Sequence, residues 1–162
     1  MPEIVSNLVD VYPFRRRDTG AELLLLRRAP GIWLGGTWQA AHGKIEAGEA
    51  APQAALRELH EETGLKPRGF WQLEFVNTFY VAKNDRILMC ACFAVEIAAD
   101  AAVRLSSEHT DFRWEPYERA LESFMWPGQC RALREIMEEI VTPSLAEPYL
   151  RIPSRGDGDV TK

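Results

Sequence analysis

The sequence predicts a mixed α/β domain, and three observations carry that reading: apolar stretches that pair into two hairpins, a helix with clear start and stop signals between them, and a second amphipathic helix near the end. The first hairpin joins Val5 to Phe14 with Ala21 to Arg28, built on Leu23-Leu24-Leu25-Leu26, around the turn residues Asp18-Thr19-Gly20. Pro30-Gly31 and Gly35-Gly36 mark a loop over Ala29 to Gly36, and Thr37 to His42 reads as a short strand. The framed helix runs from Ala51 to Thr63. Pro52 sits in its first turn, where a missing N–H costs nothing, and Gly64 stands where a left-handed stop is wanted. Phe70 to Val81 and Arg86 to Ile97 flank Lys83-Asn84-Asp85 as a second hairpin, and Phe112 to Glu115 is a further short strand. Pro127 to Val141 has helical periodicity, with Cys130, Leu133, Arg134, Met137 and Ile140 near one face. The prolines from Pro143 and the run Arg155-Gly156-Asp157-Gly158-Asp159 predict a frayed tail, so the domain spans 1–142 and the tail 143–162.

Bulk properties narrow the function classes. The 162 residues fit one domain with a proper core. A formal net charge of −5 and a pI of 5.3 argue against a general grip on nucleic acid. No apolar run approaches membrane-spanning length, and Met1-Pro2-Glu3 does not open a secretory signal, so neither membrane nor secretion is expected. Cys90, Cys92 and Cys130 are an odd count for a disulfide framework. Cys90 and Cys92 point the same way along a strand, as a redox pair or half a metal site would. The reading preferred here is buried small hydrophobes in a reducing, cytoplasmic setting.

The chemistry concentrates between Gly43 and Leu65. On a helix, Glu58, Glu61 and Glu62 share one face, while Ala55 and Leu59 form the core stripe. Three carboxylates on one face repel unless compensated. A hard divalent ion resolves this, because Mg²⁺ takes oxygen ligands and bridges carboxylates to substrate phosphates. Arg57, four residues before Glu61 and beside Glu58, can brace a carboxylate. A glutamate-rich helix face is usually just solvated. Here the loop from Gly43, the helix start and the Gly64 stop frame the cluster at fixed distances.

That segment matches the Nudix box at every defined position, from Gly43 through Glu49 and Arg57-Glu58-Leu59-His60-Glu61-Glu62-Thr63-Gly64-Leu65, and the chain therefore resembles the Nudix hydrolases. The resemblance implies an α/β/α sandwich with a mixed central sheet and the box helix carrying the metal site. It implies Mg²⁺, with Mn²⁺ as the alternative, bound by Glu58, Glu61 and Glu62, and the backbone carbonyl of His42 as a further donor. Arg57 and Glu49 would orient that set, with Gly43 and Gly64 supporting it. The general base varies in the family between a box glutamate and a downstream loop carboxylate; Glu108, in Ser106-Ser107-Glu108-His109, is the candidate for the second and equally an ordinary loop acid. Catalysis would then assign Glu58, Glu61, Arg57 and Glu108, acting on a small nucleotide-like molecule. The family leaves a homodimer open.

The flanks bear on the substrate. Trp38-Gln39, Ala50 to Ala55, Glu108-His109 and Phe112-Arg113-Trp114 resemble the branch that hydrolyses dATP-like nucleotides and dihydroneopterin triphosphate to a monophosphate and pyrophosphate. Arg27, Trp38 and Tyr80 are the candidate substrate contacts, with Trp33 and Phe79 as further stacking surfaces; for most of these aromatics a core position is the commoner role. Tyr80 also keeps open dinucleoside polyphosphates, and ADP-ribose is the other alternative. A nucleotide-binding module without catalysis is the remote one. His60 is expected in solvent, and His42 and His109 as loop residues that could reach substrate.

Overall fold

The computed structural model describes residues 1–153. Glu3–Arg17 (β1) and Gly20–Arg28 (β2) form the expected hairpin, with Gly20 at φ 130°, a value that a side chain rarely permits. The two strands pair only at the turn end, from Phe14↔Leu23 to Arg17↔Gly20, and then diverge. The segment expected as one strand over Thr37 to His42 therefore splits. Trp38–Gln39 (β3) joins the outer edge of β2, and Ala41–Lys44 (β4) fills the gap beside Leu8 to Val11 of β1. Each half satisfies its backbone groups on a different strand, which a single straight segment could not do.

Gly69–Val81 (β5) and Arg86–Glu96 (β6) form the second hairpin, and β6 runs parallel to β1 from Glu3↔Arg86 to Phe14↔Glu96. His109–Pro116 (β7) lies antiparallel along β2 and is longer than the sequence suggested. The result is a seven-stranded mixed sheet. Ala51–Thr63 (α1) covers one face, burying Ala54, Ala55 and Leu59 against Val9, Val11, Leu24, Leu26, Phe93 and Val95. Tyr117–Ser123 (α2) and Pro127–Glu135 (α3) cover the other, over Tyr12, Phe14, Leu23, Leu25, Trp71 and Leu73. This is the α/β/α sandwich. α2 was not foreseen, because seven residues hold too little periodicity.

Two details of the second face differ from expectation. α3 passes into a π-helical turn at Ile136–Val141, and Arg16 donates to the carbonyls of Ile140 and Val141 there. Its core side is Ala132, Leu133, Ile136 and Ile140, while Arg134 is exposed. The tail expected to fray from Pro143 begins as an anchored strap. Glu147–Leu150 (α4) buries Leu150, Trp71 Nε1 donates to Glu147 at 2.7 Å, and Arg151 bridges to Trp71. The remainder of that expectation, residues 154–162, lies outside the described residues. Cys90 and Cys92 are buried on the α3 face and unpaired. No helix among the described residues is long and apolar enough to cross a membrane.

Candidate active site

α1 is framed as its sequence predicts. The Gln53 side chain accepts the Ala50 N–H at 2.9 Å, and Gly64, at φ 68°, donates back to His60 O at 2.8 Å. Gly43 of β4 faces the helix. A Cβ on Gly43 would lie 1.9 Å from Glu58 Cδ, so only glycine lets this carboxylate lie against the strand.

Arg57 organises the outer carboxylates. Its Nε and Nη2 hold both oxygens of Glu49 at 3.0 and 2.9 Å, and Nη1 reaches Glu58 at 2.8 Å and Glu61 at 3.2 Å. Nη2 also donates to Lys44 O at 2.8 Å, tying the helix to the end of β4. Such planar, forked donation is particular to arginine. Arg57 and the Glu46 N–H hold the Glu49 carboxyl below its ordinary range. The Glu58 carboxyl is pushed up by burial, with Arg57 offsetting part of that rise.

Glu62 has no such brace. Its side chain is buried, and Oε2 has no hydrogen-bond partner among the described residues. Burial first, then the charges of Glu58 and Glu108, push its carboxyl up to about 9, while the backbone N–H of His42 pulls it down. Glu108 is brought there by its loop. Arg104 N–H donates to Thr63 O and Ser106 N–H to Glu62 O, which docks the loop on the end of α1; Ala29 N–H then donates to Glu108 O. The downstream carboxylate and the three helix carboxylates thus converge.

Other expected residues fall as follows. His60 faces solvent, as predicted. His109 is a buried strand residue whose Nδ1 lacks a partner among the described residues; burial and nearby Arg28 keep its imidazole below its ordinary range. His42 presents its backbone to Glu62 and its imidazole to the opposite face, where Nδ1 meets Asp10 at 2.7 Å. Neither histidine is loop filler. Trp38 carries Arg113 stacked 4.3 Å above its ring, and Arg27 donates to Gly36 O at 3.3 Å. Tyr80 lies on β5, beyond β1 and β6 from the cluster, with its hydroxyl on Asp85 at 3.0 Å. The structure does not bring Tyr80 to the glutamates. Arg28 pairs with His109 across β2 and β7, and Asp10 escapes sequence reasoning because a lone acid in an apolar strand gives no periodic signal.

The donor set suits a hard divalent cation. It offers carboxylate oxygens from several residues, one of them buried and without a partner among the described residues, and Arg57 neutralises only the outer part. Comparison with known proteins agrees. The NUDIX domain family matches residues 7–136. An octanoyltransferase of Myxococcus xanthus is 38% identical over 122 residues, which are 74% of this chain but 33% of that protein. The chain thus spans about a third of that relative's length. An asymmetrical bis(5'-nucleosyl)-tetraphosphatase of Sus scrofa is 31% identical over 137 residues, covering 78% of this chain and 86% of that one. Among solved structures, the dihydroneopterin triphosphate pyrophosphohydrolase of E. coli superposes with TM-score 0.66 over 85% of this chain and 95% of that one, at 20% identity, a likeness of fold.

Proposed function

The chain belongs to the Nudix family, and from that premise we propose that it hydrolyses a diphosphate linkage in a nucleotide with Glu58, Glu61 and Glu62 holding the divalent cations, Mg²⁺ by this reading, that such hydrolases use. The observation that carries the assignment is the unpartnered, buried oxygen of Glu62 among converging carboxylates. A bound cation supplies charge neutralisation for the phosphates and acidifies water. The chain's own part is orientation and proton handling. Arg57 fixes Glu58 and Glu61 from one side and ties them to Glu49 and Lys44 O. The backbone of His42 borders Glu62, and its carbonyl is the candidate extra donor. Glu108, exposed on its docked loop, takes the proton of the attacking water, leaving the three box glutamates as ligands.

Within that class, the first substrate to offer is a dinucleoside tetraphosphate, because the Sus scrofa relative covers most of both chains. Nucleoside triphosphates of the dATP or dihydroneopterin type are the second reading, favoured by the Trp38-Gln39 and Glu108-His109 flanks. In that case Arg27 and the Arg113-stacked Trp38 line the nucleoside side. Product analysis tests both. The protein is offered diadenosine tetraphosphate, dATP, dihydroneopterin triphosphate and ADP-ribose, each with Mg²⁺ and with EDTA. Asymmetric cleavage to ATP and AMP supports the first reading, and pyrophosphate with a monophosphate supports the second. Cleavage that persists in EDTA would overturn the metal assignment.

A further inference from the structure

Across the sheet from the glutamates lies a second polar cluster of different chemistry. Asp10 of β1, His42 of β4 and Cys90 of β6 stand on three adjacent strands, and each offers a ligand atom within 4.8 Å of the other two. We propose that Asp10, His42 and Cys90 form a binding site for a thiophilic divalent ion of the zinc class, separate from the site on α1. The inference does not depend on the hydrolase reading.

Three features point to a cation rather than a solvated polar group. First, Asp10 is 5% exposed between Leu8 and Tyr12, and among the described residues it pairs with no lysine or arginine. A carboxylate so placed costs free energy unless a positive charge meets it, and His42 beside it supplies one only when protonated. Second, its orientation is built in. Oδ1 faces His42 Nδ1 at 2.7 Å, and Oδ2 accepts from Asn77 Nδ2 at 3.0 Å. Asn77 fits because Gly128 of α3 leaves room: a Cβ there would lie 2.2 Å from Asn77 Oδ1. A carboxylate held from behind by an amide is the arrangement that fixes metal ligands. Third, access is one-sided. Cys90 is fully buried, while the His42 side chain is 40% exposed and opens the cluster to solvent.

The mixed set of carboxylate oxygen, imidazole nitrogen and thiol sulfur selects zinc-like ions over Mg²⁺, the reverse of the all-oxygen set on α1. Binding requires the Cys90 thiol to release its proton to solvent and the hydrogen between Asp10 and His42 to move off Nδ1. Cys92, the register partner of Asp10, turns its sulfur to Cys90 O at 3.5 Å and is not a ligand.

The test is a Co²⁺ titration of the full chain, read by the thiolate-to-cobalt charge-transfer absorption and reversed by Zn²⁺. A saturable band is expected in the wild type, in Cys92→Ala and in Glu62→Gln. It should vanish in Cys90→Ala and in His42→Ala, the latter altering a half-exposed side chain and so leaving a folded control. Asn77→Ala should weaken Co²⁺ binding about 10- to 100-fold. No band in folded wild-type protein, a band that survives Cys90→Ala, or one lost in Cys92→Ala or Glu62→Gln would overturn the proposal.

Discussion

The helices on the two faces of the sheet carry nearly the same words. α1 reads Arg57-Glu58-Leu59-His60-Glu61-Glu62, and α3 with its π turn reads Arg134-Glu135-Ile136-Met137-Glu138-Glu139. Both place three glutamates on one face at the same spacing. Their surroundings differ completely. Glu135 accepts the N–H groups of Glu74 and Phe75, which the register shift between Gln72 and Val76 leaves free, at 2.6 and 3.2 Å. Glu139 accepts from Ser144, and Arg134 is exposed. On α1 the arginine is the centre of the network, and Glu62 is buried with no partner for Oε2 among the described residues. Two of the α3 glutamates close the protein's own hydrogen bonds, whereas on α1 a buried carboxylate oxygen is left over among the described residues. Spacing alone does not make a metal site. The frame is what differs at the proposed site: Ala120, Trp126 and Val141 stand where the α1 copy has Gly43, Glu49 and Gly64.

The largest effect expected from this contrast is on turnover. Glu62→Gln and Glu61→Gln should each lower the hydrolysis rate about 100-fold or more, since each removes a charge that acts only through bound cation and phosphate. Glu135→Gln and Glu139→Gln should leave the rate within about threefold; Glu135→Gln should instead cost about 1–2 kcal/mol of stability by weakening two hydrogen bonds to a charged group. Steady-state rates and denaturant unfolding measure the two. A swap of these phenotypes would break the comparison.

Next comes the arginine pair. Arg57→Ala should lower turnover about tenfold or more, because Glu58 and Glu61 lose their common brace. Arg134→Ala should change nothing measurable, since Arg134 makes no ion pair among the described residues. Gly43→Ala sharpens the point. Its new Cβ meets the end of a flexible side chain, so unfolding should shift by only about 1 kcal/mol while Glu58 is displaced and turnover falls.

A further effect is expected on stability against pH. The Glu62 carboxyl is raised to about 9 in the folded chain, whereas in the unfolded chain it ionises in the ordinary carboxylate range. Between those values the native state binds the extra proton. Stability in EDTA is therefore full below the ordinary carboxylate range and falls as pH rises toward 9, by at most about 1.4 kcal/mol per pH unit. Glu62→Gln should flatten that slope, and Mg²⁺ should restore stability at the alkaline end. Thermal melts across pH 5 to about 9 read this directly.

Much of this was legible in the residues. The α1 boundaries and both hairpins followed from periodicity and punctuation, because Pro52, Gly64, Gly20 and Lys83-Asn84-Asp85 act locally. The split at Ala40 was not legible, since it follows from the divergence of β1 and β2, a property of the sheet as a whole. α2 was too short to show a period, and Arg134 falls at the edge of the buried face of α3, which is set by Gln129, Ala132, Leu133 and Ile136. At the site, spacing placed Glu58, Glu61 and Glu62 on one face of α1. It could not tell that Glu62 alone is sealed from solvent, nor that His42 faces Asp10, because both depend on strands distant in the chain.

The central claim is that the α1 triplet, and not its α3 twin, holds the cations that hydrolysis needs. The most direct measurement is Mg²⁺-dependent cleavage of diadenosine tetraphosphate and dATP by wild type, Glu62→Gln and Glu135→Gln, side by side with EDTA controls. The account predicts Mg²⁺-dependent product from wild type and Glu135→Gln, and about 100-fold less from Glu62→Gln. Equal rates in Glu62→Gln and wild type would contradict it.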